Sequence, residues 1–292
     1  MPRRPIASTL LALTLGLALA LAPALLASPS AQARRPTPFE RGQKRDPRVR
    51  AAFARDEAQL EAAFAAAGAA WPPRAIYLRT LKLESELELW AAPAPIAPPS
   101  ARHHGRTPAG RPTPAAEPPR VLVRTFHICA KSGVLGPKTH AGDGQVPEGF
   151  YTIVGFGHGP DHLSLGLSYP NAYDRARARP EPPGGDIFVH GGCVTVGCLP
   201  IEDDAVEALY VVAVLARGGG QTRIPIDLFP CRFGSDACDV ARRDAAPDAA
   251  LSAFWRVLED AYQGFEATRL PPAVSVSAQG YRLAATPAGP PR

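Results

Sequence analysis

The chain has only a small net charge, and it has no long apolar run after its first 33 residues. Its formal net charge is +5, and it falls to about +3 once Arg3 and Arg4 of the N-terminal segment are removed. So small an excess argues against a nucleic-acid partner. No later segment is long and apolar enough to cross a bilayer, so we expect no transmembrane anchor in the mature chain. No internal repeat is present, and the 34 prolines favour extended, irregular segments over a helical bundle.

Residues 1–33 have the three parts of a secretory signal peptide. A basic start is followed by an apolar run of Leu and Ala over residues 10–26, and Ala31-Gln32-Ala33 is a small-residue cleavage site. A retained membrane anchor is the alternative, but the run is short and prolines follow it. No cysteine stands at the cleavage site, which argues against a lipoprotein. The pattern therefore predicts export from the cytoplasm.

The cysteines are few and odd in number: Cys129, Cys193, Cys198, Cys231 and Cys238. In an oxidising compartment, an odd cysteine is a free reactive thiol or an intermolecular link. Cys231 and Cys238 are close in sequence and flank a turn-like segment, which makes them the easiest pair. Cys129 and Cys193 are the second candidate pair and would leave Cys198 free, but spacing also allows Cys193 to bond Cys198.

The rest of the chain is expected to comprise a helical segment (34–70), a main domain (71–230) and a C-terminal extension (231–292). Within the main domain, residues 91–120 form an insertion rich in Pro and Ala. Helices are predicted over 47–67, 203–216 and 251–262. Strands are predicted over 76–81, 86–90, 121–129, 150–154, 186–189, 274–277 and 281–283.

A histidine and a cysteine share one glycine-rich segment, His190-Gly191-Gly192-Cys193-Val194-Thr195-Val196-Gly197-Cys198, directly after a strand-like run. A cysteine becomes a nucleophile when a histidine or a helix N-terminus favours its thiolate. Cys198 has both nearby in sequence, because His190 ends the strand and a helix with acidic residues at its start begins near Glu202. The segment therefore predicts a cysteine enzyme.

Two other residues of this segment are placed to assist. The N–H groups of Gly197 and Cys198 can face a developing oxyanion, and Thr195 can form a hydrogen bond within the loop. The alternative is a purely structural loop, in which His190 caps the strand and Cys193 is bonded to Cys198.

These residues resemble the signature of the YkuD-type L,D-transpeptidases, a strand ending in His-Gly followed by Ser/Thr-x-Gly-Cys. Here it is His190-Gly191 and Thr195-Val196-Gly197-Cys198. Val196 and Leu199-Pro200 depart from the wider family, and the spacing from His190 to Cys198 is short for it, but the YafK-like branch shares these departures. The segment 145–151 resembles the Thr-Pro-x-Gly-x-Phe strand entry of the wider family, and the segments 83–90, 132–138, 169–175 and 271–276 resemble the YafK-like branch.

The resemblance implies a mostly β or α+β fold. It implies that 71–230 form the catalytic domain, a curved sandwich with flanking helices, and that 231–292 form a helix and hairpin packed on it. It implies that Cys198 is the nucleophile and His190 the general base and acid. The backbone carbonyl of Gly191 would orient the imidazole, and Gly197 would supply an oxyanion-hole N–H.

The implied reaction attacks a meso-diaminopimelate carbonyl in a peptidoglycan stem peptide and needs no cofactor. The implied partners are peptidoglycan and a wall-linked lipoprotein, and the implied location is the periplasm. A hydrolase that passes the same acyl-enzyme to water is the first alternative, and a non-catalytic wall-binding module is the second.

Other histidines invite a metal interpretation. His158 and His162, with Asp161 and Cys193 nearby, have the spacing of a zinc site, and His103-His104 form a pair in the insertion. Gly159-Pro160 breaks any helix that would align His158 with His162, so no metal is expected. His162 is expected either to be structural or to line a substrate groove. The other residues expected in that groove are Thr195, Tyr169, Asn171, Tyr173 and Arg175.

In the oxidised protein, we expect Cys198 to react with an alkylating agent before reduction, with disulfides Cys231–Cys238 and Cys129–Cys193 holding the other thiols. Peptide mapping by mass spectrometry checks this, with a reduced sample as the control. A Cys193–Cys198 disulfide in the active protein would contradict the pairing.

Overall fold

The computed structural model describes residues 34–95, 117–159, 162–178 and 180–284. The predicted signal peptide, the His103-His104 pair, Asp161 and most of the insertion lie outside the described residues. From Pro36 onward the chain forms one compact unit, and the following description concerns that unit. Across the ranges that the structure describes, no helix is long and apolar enough to cross a membrane.

The helices and strands follow one another along the whole described chain. The helices are α1 Pro38–Gln43, α2 Pro47–Ala66, α3 Ala172–Arg177, α4 Asp203–Gly218, α5 Asp236–Ala245 and α6 Ala249–Thr268. The strands are β1 Ile76–Leu81, β2 Glu86–Ala91, β3 Val121–His127, β4 Gly149–His158, β5 Leu163–Leu167, β6 Phe188–His190, β7 Leu199–Pro200, β8 Ile224–Phe229, β9 Val274–Ser277 and β10 Gly280–Leu283.

Among the described residues, eight strands form one mixed sheet in the order β3-β2-β1-β8-β4-β5-β6-β7. β1 and β8 are parallel, as are β6 and β7, whereas the other neighbours are antiparallel. The sheet curls into a half-barrel flanked by helices, and β9 and β10 form a separate hairpin that follows α6. The predicted α+β class with a C-terminal helix and hairpin is therefore confirmed. The predicted boundaries at residues 70 and 230 stay predictions.

The larger core lies between the sheet and α4. Side chains of α4 from Val206 to Ala216 are buried around the whole helix, which is typical of a helix enclosed on all sides. The amphipathic helix α2 packs on α4 and buries Phe53, Leu60 and Phe64. α4 also contacts β5 and β6, so the helix that starts near the glycine-rich segment is anchored in the core.

A second core joins the C-terminal region to the sheet. Helix α6 buries aromatic residues against Leu81 of β1 and Phe229 of β8. Trp255 of α6 donates from Nε1 to Oε2 of Glu148 at 2.8 Å, which gives this fully buried carboxylate a partner. The region is closed by a disulfide between Cys231 and Cys238, whose Cα atoms are 5.5 Å apart.

A buried carboxyl group lies in the middle of the sheet, on the parallel pair of β1 and β8. Asp227 of β8 is opposite Arg79 of β1, and Tyr77 donates its hydroxyl to Oδ2 of Asp227 at 2.7 Å. Burial raises the pKa of Asp227 to about 7, because water no longer stabilises the charged form.

Asp227 should make the folded protein less stable as pH rises. Its folded pKa of about 7 exceeds the ordinary 3.8, so between these values the folded state holds a proton that the unfolded state has lost. We expect the free energy of unfolding to fall across this range by up to about 4 kcal/mol, and Asp227→Asn to remove that fall. Urea unfolding at a series of pH values measures it.

Asp244→Asn is the matched control, because Asp244 is an exposed residue of α5. It should keep the pH dependence of the wild type. Identical slopes in wild type and Asp227→Asn would show that Asp227 does not titrate in this range.

Candidate active site

The pairing of β6 with β7 brings the predicted nucleophile and base together. Val189 is opposite Leu199, and His190 is opposite Pro200. Cys198 directly precedes β7, and alternate residues of an extended strand point to the same face. Cys198 and His190 therefore lie on one face of the sheet edge, whereas Val189 and Leu199 point into the core.

The imidazole of His190 is oriented by the backbone of the following residue, Gly191. Nδ1 lies 2.5 Å from the carbonyl oxygen of Gly191. Because a carbonyl only accepts hydrogen bonds, Nδ1 carries the proton in this contact, and Nε2 of the neutral ring is left as an acceptor. This is the arrangement that the resemblance implied for Gly191.

Cys198 is the free cysteine in the described part of the chain, and it is half-buried. Its Sγ donates to the carbonyl of Asp186 at 3.4 Å, and within the described residues this sulfur makes no hydrogen bond to His190. Burial raises the pKa of the Cys198 thiol, whereas a backbone hydrogen bond at Phe188 and, more weakly, the nearby Lys138 oppose the shift. The resting group is therefore a thiol whose proton is directed to the Asp186 carbonyl.

Two hydroxyl groups hold the loop around the nucleophile. Oγ1 of Thr195 accepts the Cys198 N–H at 2.8 Å and donates to the Cys198 carbonyl at 3.0 Å. Oγ of Ser132 accepts the Gly197 N–H at 2.7 Å. The N–H groups expected at an oxyanion hole thus have hydroxyl partners in this state. Sequence reasoning missed Ser132, although it opens the 132–138 segment that resembled the family.

A disulfide ties the same loop to the end of β3. Cys193 is bonded to Cys129, and their Cα atoms are 5.6 Å apart. The Cys129 N–H also donates to the carbonyl of Pro200 at 3.0 Å. The loop is therefore fixed at both its middle and its end.

His162 supports the loop from behind. Its Nε2 lies 2.5 Å from Oε1 of Glu207 in α4, and Glu207 also forms an ion pair with Arg55 of α2. A Cβ atom added to Gly191 would lie 2.7 Å from Cβ of His162 and would collide with Oδ1 of Asp203. Gly191 is thus packed between these two side chains. The sequence predicted that His162 is either structural or in a substrate groove, and it did not single out Asp203 or Glu207.

His158 is turned to a different carboxylate. Its Nε2 lies 2.6 Å from Oδ2 of Asp46, which also caps the N-terminus of α2. The described residues contain no group of three or more His, Cys, Asp or Glu side chains that could hold a metal ion.

Four residues expected in a substrate groove make contacts with the C-terminal hairpin or with neighbouring loops. Asn171 caps α3 and donates to the hydroxyl of Tyr281 in β10 at 2.9 Å. The ring centroid of Tyr173 lies 5.2 Å from that of Tyr281. Tyr169 donates to the carbonyl of Pro183 at 2.7 Å, and Arg175 donates to that of Pro170.

Comparison with known proteins gives one clear similarity. No family model matches the chain. The Escherichia coli K12 protein named "Putative L,D-transpeptidase YafK" is 34% identical over 158 residues, which are 53% of this chain and 61% of that protein. The protein of the same name from E. coli O157:H7 gives the same values. This chain is a relative of YafK.

The similarity to YafK confirms the resemblance predicted from the sequence, over about half of the chain. It spans less than two thirds of the length of YafK. Two solved structures are weakly similar to this chain. The helical cell shape determining protein Pgp2 of Campylobacter jejuni has a TM-score of 0.37 at 14% identity, covering 59% of this chain and 56% of Pgp2. Bd1075 of Bdellovibrio bacteriovorus has a TM-score of 0.33 at 17% identity, covering 66% of this chain and 59% of Bd1075.

The packing of Gly191 predicts a sharp difference between two glycine substitutions. Gly191→Ala should lower the free energy of unfolding by about 1–3 kcal/mol, because the methyl group meets His162 and Asp203. Gly185→Ala is the matched control, because nothing lies within 4 Å of its Cβ position. Thermal unfolding measures both, and equal melting temperatures would contradict the packing of this loop.

Proposed function

We propose that the protein is a peptidoglycan L,D-transpeptidase that acts through an acyl-enzyme on Cys198. The observation that carries this proposal is a free thiol on the same sheet face as His190, whose Nδ1 is fixed by the Gly191 carbonyl. The similarity to YafK supports the same class of enzyme.

In the proposed reaction, Nε2 of His190 takes the thiol proton as Sγ of Cys198 attacks the carbonyl of meso-diaminopimelate in a stem peptide. The imidazolium then gives this proton to the amine of D-alanine, which leaves, and a thioester remains. An acceptor amine attacks the thioester and loses a proton to His190. Return of that proton to the sulfur regenerates the thiol. The fixed proton on Nδ1 keeps the ring in the correct tautomer throughout.

The resting contacts of Cys198 define what substrate binding must change. Sγ must leave the carbonyl of Asp186, because a carbonyl cannot donate to a thiolate, and the imidazolium and the backbone hydrogen bond at Phe188 then stabilise the charged sulfur. A negatively charged oxyanion is a stronger acceptor than a hydroxyl, so it can take the Gly197 N–H from Ser132. Ser132 and Thr195 would then hold the loop in shape between turnovers.

The proposed location is the periplasm. Residues 1–33 have a signal-peptide pattern, and the two disulfides are typical of an oxidising compartment. A wall-linked lipoprotein is the proposed alternative source of the acceptor amine.

Cys198→Ala should abolish the reaction on purified Gram-negative sacculi. After muramidase digestion, mass spectrometry should show new meso-diaminopimelate cross-links and released D-alanine with the wild type. In Cys198→Ala, the rate of cross-linking and of D-alanine release should fall by at least about 10³-fold, because no other group can form the thioester. Val194→Ala, an exposed position of the same loop, is the matched control and should keep activity.

The acceptor is determined by running the reaction in ¹⁸O-labelled water. Label in shortened stem peptides, without cross-links, would assign the protein as a hydrolase of the same chemistry. Sacculi that bind the wild type but remain chemically unchanged would identify a wall-binding module. Equal activity of wild type and Cys198→Ala would exclude Cys198 as the nucleophile.

A further inference from the structure

The peptide group between Gly191 and Gly192 is held from both sides. Its carbonyl oxygen lies 2.5 Å from Nδ1 of His190, and its N–H donates to Oδ1 of Asp203 at 2.7 Å. Both atoms belong to one amide, whose oxygen and nitrogen share electrons by resonance. The imidazole and the Asp203 carboxylate are therefore connected through a single peptide plane.

We propose that Asp203 is a positioning residue for His190 that acts through this peptide. The inference rests on the proposed function, in which His190 is the base. In a Ser-His-Asp triad, a carboxylate contacts the imidazole directly. Here the carboxylate accepts the Gly192 N–H, which polarises the amide and places more negative charge on the Gly191 oxygen. That oxygen then holds the imidazole more firmly and stabilises the imidazolium.

The backbone before α4 is arranged to give Asp203 this direction. Glu202 has φ 67°, a left-handed conformation that is uncommon for a residue with a side chain, and its N–H donates to the Gly192 carbonyl at 3.2 Å. Within the described chain, the Glu202 side chain makes no capping hydrogen bond to α4. Strained residues of this kind persist where the surroundings impose them, often at functional sites.

The other acids at the start of α4 have different partners. Asp204 lies 3.5 Å from Nη1 of Arg55, and Glu207 contacts Arg55 and His162. Asp203 instead contacts the loop that carries the proposed base. Asp204 therefore offers a control with the same charge, on the same helical turn, without the contact to Gly192.

The test compares Asp203→Ala, Asp203→Asn and Asp204→Asn in the full chain, by the rate at which iodoacetamide alkylates Cys198. Asp203→Ala should slow alkylation at neutral pH about tenfold, the scale for losing a hydrogen bond to a charged group. The midpoint of its pH–rate profile should move to higher pH. The alkylation rate of Asp203→Asn should lie between those of the wild type and Asp203→Ala, because asparagine keeps an acceptor for the Gly192 N–H. The rate of Asp204→Asn should match that of the wild type.

A double-mutant cycle with His190→Ala separates positioning from a structural role. The effect of Asp203→Ala should vanish when His190 is absent. An undiminished effect in that background, or equal rates in Asp203→Ala and Asp204→Asn, would overturn the proposal. If Asp203→Ala does not fold, the same double-mutant cycle is measured with Asp203→Asn and His190→Ala.

The same proteins distinguish this inference from the proposed function. Coupling between Asp203 and His190 in a protein that leaves sacculi unchanged would support the positioning role and refute the transpeptidase. Cross-linked sacculi without such coupling would refute the positioning role alone.

Discussion

The parallel pairing of β6 with β7 is the constraint on which the candidate site depends. Parallel neighbours are usually joined by a long crossover, often through a helix. Here, short strands are joined by residues 191–198 alone. Hydrogen bonds that Thr195 and Ser132 accept from the loop backbone, together with the Cys129–Cys193 disulfide, hold this loop in shape.

The site is also built on the buried helix α4 and, through it, on α2. Glu207 of α4 contacts both His162 behind the loop and Arg55 of α2. Asp46, at the start of α2, contacts His158 at the end of β4. Helix α2 is therefore connected by charged contacts to the end of β4 and, through α4, to the residue that precedes β5, next to the strand β6 that ends in His190.

In residues 169–175, the polar and aromatic residue types that are typical of binding sites also form contacts within the protein. Asn171 and Tyr173 have the polar and aromatic character of binding residues, and the sequence predicts a groove there. In the structure, Asn171 caps a short helix and Tyr173 packs on Tyr281. Their partner Tyr281 lies more than a hundred residues away, at the C-terminal hairpin, so no local sequence pattern predicts these contacts. The groove itself stays a prediction.

Local patterns determined much of the fold: α2, β1, β2 and α4 follow from periodicity and helix-end signals, and the His190–Cys198 segment follows from residue type and spacing. β8 does not, because Pro225 and Asp227 argue against a central strand, yet β1 and β4 pair with it. Ser132 and Asp203 likewise acquire their roles from tertiary structure alone. Ser132 meets Gly197 from 65 residues away, and such hydrogen bonds form only when the sheet and α4 have brought the backbone groups together.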